Sequence, residues 1–254
     1  LDAIWPGQTL LIPVGAAHFG PPLKLLPDSE LVYGPAYIFF DLPRFVTDQD
    51  GYLAHYTEDV EGRTRSGAEV VQLVAQRYSV GPRVLLALLE LQAGWVTDPN
   101  PPAETVDYPL GSREAHREGL FQQLSWAAAE LNSGYYGWKY GQWTTLRLSD
   151  GSRVGIAPEL NAATAAVQNY LAQIACGEVW QDLAGPNGFA AVYEQLFGNP
   201  FAYSVEPLLP PDLQQPELRL PWPEDEMWYL TGGPHGGWGR GSGWAALDFV
   251  PSQD

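Results

Sequence analysis

Apolar residues recur at helical spacing through the middle of the chain. Val70, Val71, Val74 and Tyr78 predict one helix. Pro82 suits the first turn of the next, where its missing N–H breaks no hydrogen bond. In that helix Leu85, Leu88, Leu89 and Gln92 fall roughly on one face. Another helix is predicted to start near Ser112 and to carry Leu120, Leu124, Ala127 and Leu131. Asn161 suits the N-cap of a helix bearing Val167, Tyr170, Leu171 and Ile174. A last helix covers Phe189 to Phe197. Between these, 144–148 and 153–157 flank Asp150-Gly151, a pair suited to a hairpin turn. The middle therefore reads as mainly α with one small hairpin.

The flanks read differently. Residues 14–27 are rich in Pro and Gly and read as a linker. Residues 205–223 contain Pro207, Pro210, Pro211, Pro216, Pro221 and Pro223. Each proline removes a donor and resists helix, so this segment is expected to be an extended connector. Beyond it, 227–231 and 245–249 read as two strands joined by a glycine-dense loop.

Composition narrows the function classes. Hydrophobic residues make up 45% of the 254, enough for a buried core. The 30 acidic residues against 13 basic ones leave a formal charge of −17. Phosphate backbones and anionic lipid would repel such a chain, so neither nucleic acid nor membrane insertion is expected. The single cysteine, Cys176, sits in an apolar helical pattern and reads as an inert thiol. The 10 tryptophans and 13 tyrosines suit sugar stacking and ordinary cores alike. The chain opens at Leu1 in what reads as mid-domain.

Two terminal segments carry family resemblances. The run Ile4-Trp5-Pro6-Gly7-Gln8-Thr9-Leu10-Leu11-Ile12-Pro13 resembles the closing strand of a LysM module, a small peptidoglycan-binding unit. At the other end, Trp228-Tyr229-Leu230-Thr231-Gly232-Gly233-Pro234-His235 leads through glycines to Trp244-Ala245-Ala246-Leu247-Asp248-Phe249. An imidazole after one strand and a carboxylate on the next can converge on a zinc ion, and glycines permit the tight return between them. This stretch resembles the beta-lytic and lysostaphin-type zinc metallopeptidases, which cut peptide cross-links of bacterial walls. The resemblance implies that His235 and Asp248 are zinc ligands. That family completes its site with a later His-any-His element, and this sequence ends at Asp254 before one occurs. His18, His55 and His116 lie outside the matching region. The chain by itself is therefore expected to hold half a metal site and to be inactive.

The central stretch Val80 to Trp95 resembles the core helix of lysozyme-like lytic transglycosylases. Those enzymes place a catalytic Glu directly before a Ser near that helix's C-terminal end. Here the acid position falls on Gln92, followed by Ala93, and a neutral amide cannot protonate a leaving oxygen. Glu90 is a weak candidate for the acid, since two residues turn it about 200° to another face. The resemblance implies a lysozyme-like domain without the chemistry, with Trp95, Tyr135, Tyr136, Trp138 and Trp143 as stacking surfaces for glycan.

The expected architecture is thus multidomain: the end of a LysM module (1–13), a linker (14–27), a mainly α lysozyme-like domain with a small β-hairpin (28–204), a Pro-rich linker (205–223), and the first strands of a β-rich zinc-peptidase domain (224–254). The expected function is that of a fragment of a secreted peptidoglycan metallopeptidase at the cell envelope, whose parent protein binds zinc. Its partners are wall glycan or peptide. The alternative is a non-catalytic surface or assembly subunit reusing the same modules.

Overall fold

The computed structural model describes residues 19–208, 212–214, 216–217, 219–223, 225–232 and 247–252. The expected LysM segment, part of the first linker and His235 lie outside these residues. Chain order runs through α1 (Asp28–Leu31), α2 (Leu42–Gln49), α3 (Tyr52–His55), β1 (Thr57–Val60), β2 (Arg63–Ser66), α4 (Gly67–Tyr78) and α5 (Pro82–Ala93). It continues with α6 (Leu120–Lys139), β3 (Thr145–Arg147), β4 (Arg153–Gly155), α7 (Ala162–Ile174), α8 (Gly177–Leu183) and α9 (Phe189–Phe197). Two last strands, β5 (Trp228–Gly232) and β6 (Asp248–Pro251), pair antiparallel. The protein is mixed helical with small antiparallel hairpins.

Helix α5 is the axis of the core. From Val84 to Leu89 every side chain is fully buried, as expected of a helix that is apolar all round. The single face drawn from its spacing understated this. Helix α4 begins at a reciprocal capping box: Ser66 Oγ accepts from the Glu69 N–H, and Glu69 accepts from the Ser66 N–H at 2.8 Å. Helices α6 and α7 pack closely at Gly134. A Cβ there would lie 2.7 Å from Asn169 Cβ and 2.8 Å from Ala166 Cα, so only glycine permits the approach.

Several expectations are corrected. Helix α6 starts at Leu120, not near Ser112, because Gly119 has a positive φ and stands outside the helix. Its first turn is capped from β1, where Glu58 accepts the Phe121 N–H at 2.9 Å. The preceding loop is held instead by Gln123, which accepts from Leu110 N–H and donates to the carbonyls of Ser112 and Arg117. Asn161 is the N-cap residue of α7, yet its side chain does not cap. Asp28 does so, accepting from Ala163 N–H at 2.9 Å while also binding Asn161 Nδ2.

A second hairpin, β1–β2, was not expected from the sequence. Its strands are polar, so no alternation betrays them, and its turn uses positive φ at both Glu61 and Gly62. Residues 19–27, expected to belong to a linker, pack against the helices. Leu25 and Leu26 are buried, Leu25 N–H donates to Thr164 Oγ1, and Gly20 N–H donates to Gly155 O. The start of the Pro-rich stretch is tied down too, with Val205 N–H on Ser29 Oγ and Ser29 N–H on Glu206.

Candidate functional site

At the end of α5 the Glu90 carboxylate is engaged by the chain that follows it. The Glu90 carboxylate accepts from Val96 N–H at 2.9 Å, from Thr97 N–H at 3.1 Å and from the Thr97 hydroxyl. It closes the turn after the helix and is thereby committed to structure. Gln92, where the lysozyme-like resemblance expects the acid, lies near Gly111. Glu90→Ala should leave these donors without an acceptor and lower stability by about 1–3 kcal/mol, read as a shift of the urea midpoint. An unchanged midpoint would contradict this bonding.

The five expected stacking aromatics do not form one surface. Trp95 is 0% exposed and packs edge-on against Tyr52, with centroids 4.6 Å apart. Tyr135 is 2% exposed, and burial, reinforced by the nearby Asp28 charge, pushes its phenol above the usual range. Neither can present a face to a ligand, so both assignments are corrected to core. Trp138 is half-buried, its indole N–H donating to Leu160 O at 2.8 Å. Tyr136 remains 49% exposed and stacks on exposed Tyr140, centroids 5.9 Å apart.

Trp143 stands apart. Gly137 of α6 receives its indole: a Cβ at Gly137 would fall 2.5 Å from Trp143 Cδ2. The Trp143 backbone N–H donates to Gly137 O, which holds the residue against the helix while leaving it 36% exposed. The two arginines nearest this ring in the chain, Arg147 and Arg153, were missed at the sequence level. A two-residue Asp150-Gly151 turn would set Val154 opposite Arg147; the register is instead centred on Asp150, which pairs Arg147 with Arg153.

At the C-terminal hairpin, Gly232 pairs with Asp248 across a register irregularity. Thr231 Oγ1 donates to Asp248 O at 3.2 Å, and the base is packed by Trp222 against Trp228 and Phe249. Asp248 is exposed at the end of the hairpin where β6 begins. His235 follows Gly232 by three residues in the sequence but lies outside the described residues. Carboxylate oxygen and imidazole nitrogen are donors that zinc accepts, so these residue types fit the metal. Among the described residues no three His, Cys, Asp or Glu side chains cluster.

Comparison with known proteins bears on the helical region. Residues 24–211 match the family described as LasA, N-terminal domain, which is well over half of the chain. The chain belongs to this family. It is 28% identical over 236 residues to Protease LasA of Pseudomonas aeruginosa strain UCBPP-PA14, covering 88% of this chain and 51% of that protein. The Protease LasA of Pseudomonas aeruginosa strain PAO1 gives the same identity and coverage. The chain thus spans about half the length of the curated relatives it matches, and it is peptidase-related. No solved structure matches it. Among the described residues, no helix is long and apolar enough to cross a membrane.

Proposed function

We propose that this chain is the N-terminal, non-catalytic part of a secreted zinc metallopeptidase that acts on peptidoglycan peptides. In this reading its helical domain binds wall glycan without cleaving it. The observation that carries the proposal is a juxtaposition in one chain. A domain of the LasA N-terminal family is followed by a hairpin that sets Asp248 opposite Gly232, three residues before His235. His235 and Asp248 would be two ligands of the metal. His235 and Asp248 would contribute to holding a zinc ion whose chemistry, in the complete site, would be to activate a water and polarise the scissile carbonyl. This chain's own part is to hold the carboxylate at the strand end, where pairing with β5 and the Trp222 stack limit its movement.

The commitment of Glu90 and the amide at Gln92 support the absence of glycosidase chemistry. The exposed ring of Trp143 supports the glycan-binding half of the reading.

The test uses the full-length natural protein. Zinc by mass spectrometry should come to about one ion per chain, as in a single catalytic site. His235→Ala or Asp248→Ala should each lose most of that zinc and about 100-fold or more of cross-link hydrolysis. Stoichiometric zinc retained in both variants would overturn the ligand assignment. Absence of zinc and of hydrolysis in the wild type would overturn the peptidase reading and favour an assembly subunit.

A further inference from the structure

A recess of about 370 Å³ opens between α6, α7 and the β3–β4 hairpin. It lies within the range of small-ligand sites, roughly 300–1,000 Å³, at the end suited to one or two sugar rings. Its walls differ chemically. Trp143, seated on Gly137, offers a partly exposed aromatic surface. Arg147 and Arg153 stand on the opposed strands as direct cross-strand partners. The floor is a polar chain from neighbouring helices: Asn169 Nδ2 donates to Glu130 O at 2.8 Å, and Gln173 Nε2 donates to Asn169 O at 3.2 Å.

The arginine pair is the informative feature. Like charges directly opposite on a hairpin are unfavourable, so such a pair needs a compensating anion or another reason to be kept. Among the described residues, neither Arg147 nor Arg153 has an ion pair or a side-chain hydrogen bond. This occurs in a chain with 30 acidic and 13 basic residues, where carboxylate partners are abundant. Two arginines at directly opposed strand positions, both lining the recess, can bring their guanidiniums onto one carboxylate. Burial, outweighing the hydrogen bond from Asn169, pushes the Glu130 carboxyl above its usual range.

We propose that this recess binds an acidic acetamido sugar, its carboxylate held by Arg147 and Arg153, its ring on Trp143, and its acetamido and hydroxyl groups on Asn169, Gln173 and Glu130. A ring surface together with carboxamides on the floor favours a saccharide over a peptide terminus, which would use the arginines and leave the aromatic face unused. This inference deepens the glycan-binding half of the proposed function and rests on it.

Calorimetric titration of the full chain would use three probes: N-acetylmuramic acid, the neutral N-acetylglucosamine, and N-acetyl-D-alanine as a carboxylate without a ring. N-acetylmuramic acid should bind about 10-fold or more tightly than either of the others. Arg147→Gln with Arg153→Gln, both exposed, should abolish its advantage over N-acetylglucosamine. Trp143→Leu should weaken both sugars. If Trp143→Leu does not fold, the indole N–H resonance of Trp143 in the wild type serves instead, and it should shift on titration with either sugar. An unchanged preference in the double arginine variant would overturn the site, as would equal binding of N-acetyl-D-alanine. A wild type that binds insoluble peptidoglycan but shows no preference for N-acetylmuramic acid over N-acetylglucosamine would sink this recess while leaving the glycan-binding reading intact. A wild type that binds neither sugars nor peptidoglycan would overturn both.

Discussion

Replacing Glu30 by alanine is expected to lower the unfolding free energy by about 3–5 kcal/mol, the cost of leaving a buried charge without its partner. Glu30 is completely buried, and Arg83 donates to it through Nε at 2.6 Å and Nη2 at 2.9 Å. The same carboxylate accepts the phenols of Tyr37 and Tyr193. One short helix, α1, is thereby fastened to the start of α5 and to α9. Without the carboxylate, Arg83 keeps the Ala36 carbonyl and the faces of Tyr37 and Tyr203, each about 4.3 Å from the guanidinium carbon. These do not neutralise it. Against a typical total stability of about 5–15 kcal/mol, the loss is large enough to unfold a marginal protein. Urea unfolding followed by circular dichroism reads it directly. The double variant Glu30→Met with Arg83→Met is expected to recover much of the loss, since apolar residues of similar length often replace a buried pair without penalty. A single-variant loss below about 1 kcal/mol would contradict the burial of this pair.

The second large effect is expected at Trp95. Trp95→Ala should cost about 3–5 kcal/mol, the range for removing a large aromatic from a packed core. The ring fills the space between Tyr52 and Tyr56, with centroids 4.6 and 5.1 Å away, and its N–H reaches Thr105 Oγ1 at 3.3 Å. Saccharide affinity of the fraction that remains folded should be unchanged. Trp143→Leu should behave in the opposite way, with a small change in stability and a loss of affinity. Measuring unfolding and titration on both variants separates a core tryptophan from a binding surface. Loss of sugar binding in a fully folded Trp95→Ala protein would reverse the two roles.

That contrast locates the limit of the sequence reading. Trp95 and Trp143 are the same residue type, each near the end of a helix, and nothing local tells them apart. Trp95 enters the core because Tyr52 and Tyr56, 43 and 39 residues earlier in the chain, close over it. Trp143 stays partly exposed because Gly137 admits its ring flat against a helix. The acid at Glu90 was similarly ambiguous until the turn at Val96 and Thr97 folded back onto its carboxylate. Polar strands hid β1–β2, since alternation is visible only where one face is apolar.

What the sequence by itself determined is local. Helical spacing with Pro82 marked α4 and α5, the apolar run from Phe189 marked α9, and Asp150-Gly151 marked the β3–β4 turn. These signals act within a few residues, through proline's fixed φ, glycine's tolerance of positive φ and the period of the helix. Tertiary structure decided which faces are covered and which polar groups meet. The free N–H groups at a helix start accept any oxygen that folding delivers. For α6 that oxygen is Glu58 and for α7 it is Asp28, 63 and 135 positions away in the chain. Separations of that size carry no local signature, and the same is true of a recess whose floor comes from α6 and α7, its aromatic wall from the segment after α6 and its arginines from β3 and β4.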